Sequence, residues 1–204
     1  MLKPDGWLYE TLDRIWTAVF LNALWILCCL PVFTVGAATC ACYETARKTL
    51  IMGSGESMPR VFFSTFAANF RQATIIGVSI EVVAAVSAVG GLAAGGALGG
   101  AVYAVLAAET LLCMAAFFWS EALAARFENT TFGHIRAGVF MTVRHIGYSA
   151  AIIVLMGIIA YAVDWFFPLI LFAPVLTVVF WAWAAERVFE KHIGAPEAHS
   201  NGEE

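Results

Sequence analysis

Charge is what this chain has least of. Of its 204 residues only 13% are Asp, Glu, Lys or Arg, against 61% hydrophobic, and mean hydropathy reaches +0.82. A soluble domain carries about 25% charged residues, and one core of this size buries only about 70% of the unfolded surface. So much apolar surface excludes a soluble enzyme and leaves an integral membrane protein. A net charge of -4 with no basic stripe excludes nucleic acid as a partner. Cysteines number five, and Cys28, Cys29, Cys40, Cys42 and Cys113 all sit in apolar stretches, which argues against a disulfide framework. Cys40-x-Cys42 has no companion pair, so these thiols read as small packing side chains rather than metal ligands. No HExxH, GxSxG or Walker-type loop occurs. The histidines His134, His145, His192 and His199 all fall on the side of the basic residues. No enzyme, metal or cofactor is expected, and a pump acting alone is excluded for want of an ATP site.

What is present is a series of long apolar runs, near 15–33, 73–93, 97–119, 146–163 and 166–185. Crossing a bilayer takes about 20 such residues in a helix. A sixth segment, about 36–50, is shorter and richer in Ala, Thr and Cys, and follows the turn residues Pro31 and Gly36. It either crosses back or returns part of the way as a re-entrant helix. The "TVGA" stretch resembles a signal-cleavage site, but the later segments need a lipid solvent regardless, so the first helix is read as uncleaved.

The basic residues decide the topology. All 11 fall in four groups: Lys3 and Arg14; Arg47, Lys48, Arg60 and Arg71; Arg126, Arg136 and Arg144; Arg187 and Lys191. If segment 36–50 returns to the starting side, every one of them shares a face. Lysine and arginine gather on the cytoplasmic side, so three helical hairpins are expected, about 14–50, 72–125 and 146–190, with both termini cytoplasmic. Their returning helices end in "YETARK", "WSEALAAR" and "WAWAAER", each with an aromatic, then Glu, then Arg. An internal repeat or ordinary membrane-edge composition accounts equally for that pattern.

Between hairpins lie two stretches of helical amphipathicity, about 59–71 and 133–145. In the first, Phe62, Phe66 and Phe70 recur at four-residue spacing beside Arg71; in the second the stripe includes Ile135 and Phe140, with Arg144 near its end. Both read as interfacial helices that anchor to the membrane or dock a partner. The tract 90–100 sets Gly91, Gly95 and Gly99 four residues apart, a spacing that suits either close helix packing in a homo-oligomer or a loose turn. The acidic tail 193–204 is expected to be disordered.

Ionisable groups at membrane depth are functional candidates by default. Glu81 lies about 13 Å along its helix from Gln72, and Glu109 about 16 Å from Ser120. Asn22 reaches a similar depth from Arg14. These three either line a substrate or proton site or hold the helices together by hydrogen bonds.

The segment "LNALWILCCLPVFTVGAAT" (21–39) resembles the signature of the YesL-like family of bacterial membrane proteins, and "FFSTFAANFRQAT" (62–74) resembles the family's Phe-rich block. That resemblance implies a protein of the bacterial cytoplasmic membrane encoded beside carbohydrate ABC importers and glycan-degrading enzymes. It brings no catalytic or ligand residues; the matched Asn22, Pro31 and Gly36 look structural. The expected fold is an all-α polytopic transmembrane bundle of five to six spans in one domain, 1–192, with two interfacial helices. The expected function is an accessory component that contacts the permease subunits of such an importer. Alternatives are a small-solute or proton-coupled carrier using Asn22, Glu81 and Glu109, and a homo-oligomeric structural protein.

Overall fold

A computed structural model describes residues 7–94, 99–166 and 173–193. Gly95 and Gly96 of the glycine tract, the distal part of the last outer turn, and the tail from 194 lie outside the described residues, as do Lys3 and His199. The described chain is helical, without strands: α1 (Trp7–Cys29), α2 (Val35–Thr45), α3 (Met58–Ala94), α4 (Gly99–Arg126), α5 (Thr131–Arg144), α6 (Ile146–Trp165) and α7 (Ala173–Ile193). Segments within α3, α4 and α6 are long and apolar enough to cross a membrane, and α1 contributes a shorter apolar helix, Ile15–Cys29. Val82, Val86, Val105, Leu112, Val154 and Ile158 are all exposed. Side chains of that kind facing outward along whole helices need hydrocarbon as solvent, and the fold is an all-α membrane bundle.

The expected pairing into three hairpins, α1–α2, α3–α4 and α6–α7, is seen, with α5 between the second and third. What the sequence did not disclose is that α2 lies at the centre. Every residue from Gly36 to Ala46 is buried, with α1, α3, α4 and α7 packed around it. A helix enclosed on all sides must be thin, which explains its run of Ala, Thr and Cys; small side chains let neighbouring backbones approach. Cys40 and Cys42 are among these buried residues and are free thiols.

The hairpin tip is held by the signature residues. Pro31 ends the helical run, and a short 3-10 turn (Val32–Thr34) leads into α2. The Thr34 hydroxyl donates to the carbonyls of Cys28 (2.5 Å) and Pro31 (2.6 Å). One turn on, Trp25 Nε1 donates to Thr39 Oγ1 at 3.2 Å, tying α1 to α2. Gly36 is where α2 meets α3: a Cβ there would collide with the Ala73 carbonyl, and a Cβ on Gly77 would come within 2.9 Å of Gly36 Cα.

That contact also fixes how far the first hairpin reaches. Gly77 is six residues, about 9 Å, beyond Arg71, whereas α3 continues for about 25 Å more to Ala94. The α1–α2 hairpin therefore lines only the half of the central hairpin nearest the basic residues. At its other end α2 widens into a π-helical turn, Ala46–Ile51, which carries Arg47 and Lys48. A loop follows in which Gly53 and Gly55 adopt positive φ (61° and 70°), a region that side chains disfavour.

The stretch 59–71 does not form a separate interfacial helix. It is the first part of α3, continuous with the span as one 37-residue helix. Past Pro59, which sits in the first turn where its missing N–H is harmless, no proline interrupts the run. Its phenylalanine stripe faces protein at Phe62, fully buried in the main core, and at Phe66, which packs against it, while Phe70 is exposed. The second stretch is a helix of its own, α5, started by Thr130, whose Oγ1 accepts from the Gly133 N–H at 3.1 Å.

Candidate functional site

Three polar assemblies stand out, at different heights in the bundle. The first joins the ends of α2, α4 and α7. Arg47 grips Glu44 through two bonds, Nε to Oε2 at 2.8 Å and Nη2 to Oε1 at 2.6 Å. Glu186 accepts from the Tyr43 hydroxyl at 2.9 Å and from Arg126, and its Oε1 lies 4.0 Å from Arg47 Nε. Lys48 extends the set toward Glu44 (3.7 Å) and Glu56 (3.9 Å). Two of the three Glu–Arg motifs of the returning helices thus supply Glu44, Arg47 and Glu186, and the third supplies Arg126. Arg187 takes no part; its guanidinium lies 4.3 Å from the centre of the Trp183 ring. Every charge here is matched by an opposite one, which makes the set a clamp across three helices.

The second assembly is Glu121, fully buried on α4, with neither carboxyl oxygen given a hydrogen-bond partner among the described residues. It lies close to Gly36, where a Cβ would stand 2.9 Å from its Oε1, and within electrostatic range of Cys40 and Glu81. Sequence reasoning missed it as a buried acid, since Trp119 and Arg126 on either side read as membrane-edge residues. Gly36, which makes room for it, comes from α2, and only the fold brings it there.

The third is a cavity of about 450 Å³ between α1, α2, α3, α4, α6 and α7. Its wall is apolar, with Trp25, Phe117, Phe118, Met114 and Met156 prominent, and Glu81 is its one ionisable residue. Thr39, Thr110 and Thr177 also reach it. Thr39 already accepts from Trp25, and Thr110 donates to the Leu106 carbonyl at 2.9 Å.

Asn22, Glu81 and Glu109 are not brought to one site. Glu81 faces the cavity; Glu109 accepts from the Ser87 hydroxyl at 2.9 Å in the seam between α3 and α4; Asn22 is fully buried on α1, away from the cavity wall. Residue counting along each helix did not disclose that Glu109 meets Ser87, six residues, about 9 Å, beyond Glu81 on α3, nor the direction each side chain takes around its helix. The expected docking residues divide likewise. Phe62 is core, and Phe66 and Ile135 pack on core clusters. Phe70 and Arg71 remain exposed, as do Phe140 and Arg144, whose guanidinium lies 5.8 Å from the Phe140 ring centre. On the outer face of α5, Phe132, Val139, Phe140 and Val143 are exposed together with Arg136 and Arg144. Its inner face is set against α4 at Gly138, where a Cβ would collide with the Ser120 hydroxyl. His134 is buried on that helix, and burial holds its imidazole below the ordinary histidine range.

Fold and polar assemblies together define a polytopic helical membrane protein. Residues 18–90 match the model of a family described as a protein of unknown function, DUF624, to which YesL-like proteins belong. That match contains both blocks on which the YesL-like resemblance rests. No curated protein and no solved structure matches the chain.

Proposed function

We propose that the chain is a non-enzymatic accessory component of the bacterial cytoplasmic membrane that contacts the permease subunits of a carbohydrate ABC importer. The observation that carries this reading is the outer face of α5, a rigidly seated helix with exposed Phe132, Val139, Phe140 and Val143 alongside Arg136 and Arg144. Gly138 and the Thr130 cap fix the helix against the bundle, so the face is presented in one orientation. The choice of an importer rests on the YesL-like resemblance of residues 21–39 and 62–74, an association rather than a contact. An accessory subunit acts by binding one transporter state better than another, and needs no chemistry of its own.

The test is purification of the tagged chain from its native membrane in mild detergent, with the co-purifying proteins identified by mass spectrometry. Permease subunits are expected in near-equal amount, and Phe140→Glu with Val143→Glu is expected to release them. Recovery of the folded chain alone overturns the proposal.

A further inference from the structure

The cavity at Glu81 is separate from the α5 face and points to a ligand that the accessory reading does not supply. The chain from residue 72 to 125, which forms most of the central hairpin, contains three acids, Glu81, Glu109 and Glu121, and no Lys or Arg. Glu109 is bonded to Ser87 and Glu121 is shut away from the cavity. Glu81 alone faces it, and Glu81 makes no ion pair among the described residues. An ionised carboxylate in apolar surroundings needs a counter-charge, and residues 72–125, without Lys or Arg, provide none.

The walls restrict what that counter-charge can be. A sugar needs many hydrogen-bonding partners, yet among the described residues the polar side chains of the lining are only Glu81, Thr39, Thr110, Thr177 and Trp25, whose N–H is already given to Thr39. A bare metal cation needs several oxygen ligands, and beside the Glu81 carboxylate the side chains of that lining offer only the three threonine hydroxyls. Anions are repelled by Glu81 with Glu121 behind it. A proton neutralises the carboxylate but leaves about 450 Å³ unfilled, a volume typical of small-molecule sites. Aromatic rings at Trp25, Phe117 and Phe118 suit a cation whose charge is wrapped in hydrocarbon, since ring faces attract weakly hydrated positive charge.

We propose that this cavity binds a monovalent organic cation, an ammonium or phosphonium bearing apolar groups, with Glu81 as counter-charge and the Trp25, Phe117 and Phe118 side chains against its apolar part. A lipid acyl chain, the rival occupant of an apolar cavity, has no use for Glu81. Binding does not depend on any importer, so this proposal and the accessory reading stand or fall separately.

Two ions of nearly equal size and shape but opposite charge, tetraphenylphosphonium and tetraphenylborate, provide the test. Their radiolabelled forms are titrated by equilibrium dialysis against the full chain in lipid nanodiscs, with empty nanodiscs subtracted. Saturable binding of the phosphonium and none of the borate is expected. Glu81→Gln should weaken phosphonium binding at least tenfold, while Glu109→Gln changes it less than twofold. Ala84→Phe, which fills the cavity from α3 and leaves Glu81 in place, should abolish it; thermal melts and helical circular dichroism confirm that each variant is folded. Absence of saturable phosphonium binding, equal binding of both ions, or full binding by folded Glu81→Gln overturns the proposal.

Discussion

A single methyl group added at Gly36 would meet the Ala73 carbonyl and the Glu121 carboxyl, one of them backbone that cannot swing aside. Gly36→Ala is therefore expected to destabilise the protein by about 2–3 kcal/mol, as overpacking of a closed core does. At about 2–4 °C per kcal/mol for a chain of this length, the melting midpoint in detergent should fall by about 5–10 °C. Gly53→Ala, in open space but at positive φ, should cost only about 1 kcal/mol. A midpoint for Gly36→Ala within 2 °C of wild type, by about the same conversion, would show that the helices separate easily at this crossing. His134 gives a pH dependence. Its folded pKa lies below the unfolded value of 6.5, so as pH falls through that value the unfolded chain binds a proton first. Stability should decline from near pH 6.5 downward until the folded form also protonates, and His134→Gln should show a shallower decline in the same melts. Pro31, Thr34 and Gly36 could be read as a turn because each has a local conformational role. Glu121 could not be read as buried, because its surroundings are supplied by residues far away in the chain.

Among the elements, the returning helices α2, α4 and α7 share an apolar core around Tyr43, Phe118 and Trp181 and are joined besides by Glu186, which both Arg126 and Tyr43 address. Removing one partner from a largely buried charge set leaves the others uncompensated, at a cost of about 3 kcal/mol or more. Glu186→Gln is expected to lower stability by that order, measured by unfolding in detergent. An Arg126→Gln, Glu186→Gln double variant should be less destabilised than the sum of the two single changes. Strict additivity would show that the pair is not coupled. The repeated aromatic, Glu and Arg of these helices were visible in the sequence, but which members meet depends on the helix crossing, and Glu121 and Arg187 turn elsewhere. The stretch 59–71 shows the same division. Its amphipathic period is correct, yet the apolar side covers α2 rather than the membrane surface, and the lack of a breaker before Ala94 was the sign of continuity.

For the molecule as a whole, hydropathy revealed the class and charge revealed the pairing, because both follow from lipid as the solvent. The unequal length of the hairpins was hidden, since it is set by where Gly36 and Gly77 cross. With Arg47, Lys48, Arg60, Arg71, Arg126, Arg136, Arg144, Arg187 and Lys191 all near the same ends of the three hairpins, the loop near Ser54 and the end of α7 near Glu190 should lie in the cytoplasm, and Asp164 outside. Single cysteines at Ser54 and Glu190 are expected to react with a membrane-impermeant maleimide only after the cells are opened, and one at Asp164 in intact cells. Labelling of Ser54 and Glu190 from opposite sides would break the three-hairpin arrangement.

The central position of α2 reverses the order of synthesis against the order of burial. The helix that its neighbours must cover leaves the ribosome just after α1 and before α3, α4 and α7. Thr34, Thr39 and Glu44 find their hydrogen-bond partners within the first hairpin, at Cys28 and Pro31, Trp25 and Arg47 respectively. Until α3, α4 and α7 arrive, however, the rest of the surface of α2 is uncovered, and the nascent hairpin must wait at the insertion machinery or at the membrane edge. Domains that fold early in synthesis are protected by their own contacts; here most of the cover over α2 comes from helices not yet made. Nascent chains arrested just after Ile51 should consequently be cleared by membrane proteases, whereas chains arrested after Ile193 should persist. Pulse-chase labelling would read the difference, and equal lifetimes would mean that the first hairpin reaches its place unaided.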